Sequence, residues 1–299
     1  MAESKSVPKW LPYAGYPAFF VAAVVLFAHL TLPYGAIEAK LADRARANGY
    51  QLSMVSFGPS LFFGATAKGV KLSVLKPTAS AGADAAAPDD ALYLDSVRVR
   101  PGLFPPGLHF SVAAFGGSFD GYVANHGKDE VALSAQGSAE LARAALKPLL
   151  GVDMQGKVNL AADLSVNTKD FAKTTGTVKL TGKDVVLNGG TVKYIDLPKA
   201  SLGSVNLKVK AEKGKATLDA FEISGGDIEA KGSGDVALSS RWNASTLQTS
   251  FDFKPADAWL KKNSFIQTGL AMAGHANSEG FYTATVNGLL LNPRANLKR

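Results

Sequence analysis

The sequence predicts a mainly β protein carrying one N-terminal membrane anchor, and three observations predict it. From Tyr50 onward, apolar and polar residues alternate with a period of two in several separate runs. Glycine pairs punctuate those runs at Gly116-Gly117, Gly189-Gly190 and Gly225-Gly226, where tight turns are expected. Near the N-terminus, Tyr13 to Leu32 contains no Asp, Glu, Lys or Arg, so about 20 residues can cross a hydrocarbon core of about 30 Å. The expected organisation is 1–12 as a cytoplasmic N-terminus, 13–33 as a transmembrane helix, 34–49 as an amphipathic juxtamembrane helix and 50–299 as a β-rich periplasmic domain.

The anchor centres on Phe19, Phe20, Val21, Val24, Val25, Leu26 and Phe27. Inside lipid every backbone amide needs a partner within the segment, which a single helix supplies. Trp10, Tyr13 and Tyr16 stand at one end and Tyr34 at the other, where amphipathic rings favour the interface. Lys5 and Lys9 precede the span and favour a cytoplasmic N-terminus, although Arg44 and Arg46 beyond it dilute that bias. A cleaved signal peptide is the competing reading. The apolar run is long for such a leader, and Leu32-Pro33-Tyr34-Gly35 lacks a small-x-small cleavage pattern, so an uncleaved anchor is favoured. After Pro33, Ile37, Leu41 and Arg44/Ala45 recur at helical spacing, and Gly49 is placed to end that helix.

In the body, Val158, Leu160, Leu164 and Val166 alternate with polar or small residues. So do Val205, Leu207 and Val209, and Phe251 and Phe253 flank Asp252. Such runs put an apolar set on one face of a half-buried antiparallel sheet. Two helices are expected to interrupt it, over Ser138 to Leu146 and from Pro255 to Lys262. Thr78 to Asp90 lacks an apolar stripe and reads as a surface loop, and Gly232-Ser233-Gly234-Asp235 reads as a turn. An apolar sheet face left in water costs roughly 25 cal/mol per Å². A sandwich, a barrel or a sheet folded over on itself would each hide it, and alternation does not choose among them.

Composition narrows the chemistry. The 299 residues carry a formal charge of +7, but the cations are dispersed singly along strand-like runs, as in Asn206-Leu207-Lys208-Val209-Lys210. That pattern is a solvated face, and no nucleic-acid partner is expected. The absence of cysteine excludes a disulfide framework, a thiol nucleophile and a thiolate metal site. His29, His109, His126 and His275 are isolated and lack metal-ligand spacing. No nucleophile elbow, phosphate loop or dinucleotide fingerprint is present. The expectation is a non-enzymatic protein with no catalytic residues, no cofactor and no metal.

The order of short motifs resembles a known family. Leu32-Pro33-Tyr34 follows the apolar span, and a short helix ends at Asn48-Gly49-Tyr50. Phe57-Gly58-Pro59-Ser60-Leu61 and Gly69-Val70-Lys71-Leu72 come next. Later come Ile223-Ser224-Gly225-Gly226-Asp227-Ile228-Glu229, Phe253-Lys254-Pro255, Val286-Asn287-Gly288-Leu289 and Asn292-Pro293-Arg294. This series is similar to the type II secretion system protein N (GspN) family in its longer form. Shorter members carry an early Gly-Thr-Leu-Trp-x-Gly stretch, whereas Phe63-Gly64-Ala65-Thr66-Ala67-Lys68-Gly69 here has no Trp. The layout also resembles the wider AsmA-like group. The resemblance implies an elongated antiparallel sheet folded over into a groove, an inner-membrane location and no catalytic residues. It implies first a non-enzymatic accessory role beside other type II secretion subunits, with AsmA-like phospholipid handling between the two membranes as the alternative. Val158, Leu160, Leu164, Val166, Val205, Leu207, Val209, Phe251 and Phe253 are the expected groove face.

Overall fold

The computed structural model describes residues 19–20, 23, 27, 31–47, 49–60, 64–74, 91–102, 106–143, 152–192, 195–241, 244–290 and 292–298. Its dominant feature is one antiparallel sheet of sixteen strands. In chain order these are β1 (Tyr50–Ser53), β2 (Ser56–Ser60), β3 (Gly64–Val74), β4 (Ala91–Gly102), β5 (Gly107–Ala114), β6 (Gly117–Asn125), β7 (Glu130–Glu140) and β8 (Val152–Asn167). They continue as β9 (Thr175–Val192), β10 (Ile195–Leu197), β11 (Ala200–Glu212), β12 (Lys215–Ser224), β13 (Ile228–Ala237), β14 (Thr246–Pro255), β15 (Tyr282–Leu289) and β16 (Asn292–Leu297).

The topology is a meander: from β3 to β9, and again from β11 to β16, each strand pairs with its sequence neighbour, and β11 pairs with β9. β1 and β2 both lie against β3, and β10 folds back on the far end of β9. Consecutive hairpins need no crossover, so the alternation written into each strand propagates directly to the next through the register. Fourteen strands lie on the main path, and at about 4.8 Å per strand the sheet runs roughly 60 Å from edge to edge.

The helices sit at the margins. Helix α1 (Tyr34–Ala47) packs beside β1 and β2, with the Tyr34 ring 5.8 Å from that of Phe57, and it ends at Gly49, whose φ is +83°. Its less exposed face carries Tyr34, Glu38, Ala42 and Ala45. The Ile37/Leu41 stripe points outward instead, at 36% and 44% exposure. Helices α2 (Asp257–Lys262) and α3 (Ser264–Ala273) bridge β14 and β15. Trp259 of α2 is buried and its Nε1 donates to the Lys199 carbonyl at 2.8 Å, pinning the helix pair to the start of β11.

Several sequence expectations need correction. Ser138-Ala139-Glu140 is not helical but completes β7, pairing with Asn159, Val158 and Lys157 of β8. Glu140 N–H also donates to the Phe115 carbonyl. Helix propensities differ by only a few tenths of a kcal/mol per residue, so hydrogen bonds to a neighbouring strand override them. Leu141–Arg143 forms a short 3₁₀ turn, and Ala144 to Leu146 of the expected helix lie outside the described residues. Gly189-Gly190 is not a hairpin turn either: β9 continues through both, paired with Asp153 and Val152 on one side, and Gly190 pairs with Leu197 on the other. Gly232 to Asp235 lies inside β13, not in a turn. The helix near Pro255 begins at Asp257 and is followed by α3, which the sequence reading did not anticipate. By contrast, Phe115-Gly116 and Gly225 are turn residues with positive φ, as tight reversals require.

Of the expected anchor, Phe19, Phe20 and Phe27 are helical and exposed at 74%, 68% and 69%. Val21, Val24, Val25 and Leu26, the 1–12 stretch expected in the cytoplasm and the loop expected over Thr78 to Asp90 lie outside the described residues. Among the described residues no helix is long and apolar enough to cross a membrane.

Candidate functional site

Strand register sorts the side chains into rows, because directly paired residues project on the same side of the sheet. One row can be followed across fourteen strands: Phe57, Ala67, Val97, Val112, Phe119, Gly137, Leu160, Leu180, Leu207, Phe221, Gly232, Phe251, Ala284 and Leu297. Every member is apolar or glycine. A second row, two residues along, is Val99, Phe110, Gly121, Ala135, Ala162, Val178, Val209, Leu218, Gly234, Thr249, Val286 and Ala295. Thr249 is its one polar member, and its hydroxyl donates to the Val286 carbonyl at 3.4 Å. Val158, Val205, Ile223, Ala230, Phe253 and Tyr282 belong to a third row, and Leu164, Leu133, Val123 and Leu108 to a fourth. Val166 pairs with Val131 beyond that fourth row. The nine expected groove residues therefore share one face.

Three glycines on this face seat aromatic rings from adjacent strands. A Cβ on Gly232 would stand 2.5 Å from Phe251 Cδ1 and 2.9 Å from Phe221 Cδ1. Gly121 meets Phe110 and Gly137 meets Phe119 in the same way. Over Gly232 the Phe221 and Phe251 rings pack edge to face, with centroids 5.1 Å apart.

Every member of the first row except Ala67 keeps part of its surface open to solvent. Apart from α1 against β1 and β2 and the short 3₁₀ turns against β8, the closest backbone contacts of the strands are with other strands of the same sheet. Phe119, Leu160, Leu180, Leu207, Phe221 and Phe251 are only half-buried. The large apolar side chains that are buried (Val70, Val185, Trp259 and Leu270) lie outside the two central rows. A sandwich or a packed barrel would bury the row residues against a second layer.

The face is hollowed at its C-terminal half. Leu207, Val209, Leu218, Phe221, Leu247, Phe251 and Val286 line a cavity of about 310 Å³. A bulge bends the sheet there: Asp219 and Ala220 of β12 fall between Leu218 and Phe221, whose partners Val209 and Leu207 are only two residues apart. Such an insertion adds local twist while keeping both apolar residues on the same face. A second hollow, about 540 Å³, opens where Leu108, Val123 and Val131 reach the sheet margin, beside Lys128.

The opposite face is polar. Lys208, Lys179, Ala161, Gln136, Asp120, Ser111 and Arg98 form one row there, and Lys210, Thr217, Asp235, Gln248 and Asn287 belong to the next. Lys208 meets Asp219 at 3.2 Å, Lys210 meets Glu212 at 2.9 Å, and Lys215 meets Asp235 at 2.7 Å. Lys215 holds the Asp235 carboxyl below the ordinary carboxylate range, burial opposes this, and the Thr217 hydroxyl at 3.0 Å reinforces it. The Lys210 ammonium likewise lowers Glu212, which in turn raises Lys210. These are outward-facing ion pairs, worth little individually. Arg98, Arg100, His109, Ser111 and Asp120 surround a small hollow of about 220 Å³ on this side, with the His109 ring 4.7 Å from that of Tyr122. Among the described residues no group of three His, Asp or Glu side chains could hold a metal ion.

The sequence reading named nine residues of the apolar face but missed most of the row between them, including Leu180, Phe221 and the ring-seating glycines. Alternation marks which residues of a strand point together, while register decides which strands line up. No family model, no curated protein and no solved structure matches this chain.

Proposed function

We propose that the protein shelters hydrocarbon chains, those of phospholipids foremost, on the apolar face of its sheet, as an inner-membrane protein whose body stands in the periplasm. The observation that carries this reading is the partly exposed row from Phe57 to Leu297, apolar or glycine at every position across fourteen strands. At roughly 25 cal/mol per Å², such a face gains by acquiring an apolar cover, and acyl chains conform to it without needing a polar partner. The hollow at Leu207, Phe221 and Phe251 adds room for chain segments in a site without cations or acids in its two central rows. The resemblance of the motif order to the AsmA-like group supports the same reading.

The apolar span at 13–33 supports a single-pass anchor. So does α1, whose outward Ile37 and Leu41 stand beside Lys40 and Arg44, the arrangement of a helix lying on a membrane surface. In this reading the protein is not an enzyme and uses no cofactor, metal or nucleic acid. The resemblance to GspN supports a second reading, an accessory component of type II protein secretion that contacts other secretion subunits through the same sheet.

Native mass spectrometry of the full chain, extracted in a mild detergent, tests the first reading. Phospholipid masses should accompany the protein, and Leu207→Lys together with Leu218→Lys should remove them. A chain that carries no lipid while its secondary structure is intact refutes the groove reading. Crosslinking in cells then tests the second: adducts with secretion subunits support it, and their absence under conditions of active secretion refutes it.

A further inference from the structure

The helix pair at the C-terminal end of the sheet presents an apolar surface that its own packing does not use. Helix α3 buries Leu270 and half-buries Ile266 on its inner side. On the other side Phe265, Thr268, Gly269 and Met272 stand at i, i+3, i+4 and i+7, the spacing of one helix face. Phe265 is 75% exposed and Met272 81%. A Cβ built on Gly269 meets nothing within 4 Å, so this face is open. A marginal helix of a water-facing protein ordinarily carries polar residues there.

The mount is firm. Trp259 ties α2 to the Lys199 carbonyl, and Asn263 at the α2–α3 joint donates through Nδ2 to the Trp259 carbonyl at 2.8 Å. The α3 terminus at Gly274 lies against the Lys298 carbonyl, just past β16. The pair therefore spans the strand ends from β11 to β16. Lys261 and Lys262, both exposed, end α2 four and three residues before Phe265, and α3 itself contains no acidic residue.

We infer that α2–α3 docks on an anionic phospholipid bilayer, with Phe265 and Met272 entering the interface and Lys261 and Lys262 meeting the headgroups. Exposed apolar side chains beside lysines are what an interfacial helix requires, and the charge of the two lysines selects an anionic surface over a neutral one. The site lies at the opposite edge of the sheet from α1, so it would bring the C-terminal end of the apolar face to a lipid surface. That consequence rests on the acyl-chain reading above; the docking itself does not.

Because the chain has no cysteine, Thr268→Cys accepts a single environment-sensitive fluorophore on the open face. The full chain is held in nanodiscs of neutral phosphatidylcholine and titrated with vesicles of phosphatidylethanolamine and phosphatidylglycerol. Emission should shift to the blue, and Lys261→Ala with Lys262→Ala should weaken vesicle partitioning about 30-fold at low salt, roughly fivefold per charge. Phe265→Asp with Met272→Asp should abolish the shift while leaving the circular-dichroism spectrum unchanged, since both side chains are exposed. The inference is overturned by emission that ignores anionic vesicles, by an equal shift in the Phe265/Met272 variant, or by a lipid-independent shift that grows with protein concentration, which would assign the face to a second copy. Lipid-free protein in mass spectrometry together with a normal vesicle shift would sink the groove and leave the docking intact.

Discussion

Truncating Phe251 to alanine distinguishes an open apolar face from a closed core by magnitude alone. The Phe251 ring is half-buried, packs edge to face on Phe221 at 5.1 Å and lies over Gly232. Full burial of a phenylalanine contributes about 1.5–3 kcal/mol, so a ring that keeps only a minority of its surface exposed contributes about 1–2 kcal/mol. The aromatic pair adds about 0.5–1.5 kcal/mol. The expected loss is therefore about 2–3 kcal/mol, with little cavity penalty, because solvent or lipid occupies the vacated space. In a closed interior the same change costs about 3–5 kcal/mol. Urea unfolding of the full chain, followed by its β-sheet circular dichroism before and after delipidation, measures the difference. Delipidation should change the wild type more than Phe251→Ala, since the ring lines the hollow that the chains would fill. A loss of 4 kcal/mol or more, unaffected by lipid, would mean that another layer covers this face and would refute the open-trough argument.

Other perturbations probe separate parts of the structure. Gly232→Val should destabilise by about 1–3 kcal/mol by displacing the Phe221 and Phe251 rings, and Phe251→Ala should recover part of that loss in a double-mutant cycle. Trp259→Phe keeps an aromatic ring but removes the Nε1 donor to the Lys199 carbonyl, so about 1 kcal/mol or more should be lost and hydrogen exchange should rise locally in α2 and α3. The Asp235 carboxyl is lowered in the folded state, chiefly by Lys215, so its contribution is present above the unfolded value near about 4 and fades as pH falls through the lower folded value. Asp235→Asn should therefore be less stable than wild type at neutral pH, and the two urea midpoints should converge on acidification below about pH 4; a constant gap would refute the linkage.

Much of this architecture follows from local sequence. Runs such as Val205 to Ala211 alternate because a strand projects successive side chains to opposite faces, so the strands and their two-sided character can be read without a structure. Positive φ at Gly116 and Gly225 is equally local, a steric demand of the turn itself. Where the reading failed, a neighbouring strand had intervened. Ser138 to Glu140 has helix-forming composition, yet it has strand partners on both sides. Gly232 and Gly234 look like a turn in one dimension; in three, Gly232 makes room for rings from β12 and β14, and Gly234 admits Thr249.

The sequence by itself determined that this chain builds a broad antiparallel surface with one greasy and one charged side, because a period of two is a property of each strand alone. It also determined the apolar segment near the N-terminus, a matter of composition over about 20 residues. Only the tertiary structure decided that the apolar residues of fourteen strands fall into unbroken rows, that a bulge at Asp219 and Ala220 accompanies a hollow in that face, and that most of its side chains keep part of their surface exposed. The alternation of a single strand is the same whether its apolar side meets another sheet or a lipid tail. Register and layering are set by contacts between residues far apart in the chain, and those contacts leave no periodic mark on the residues that make them.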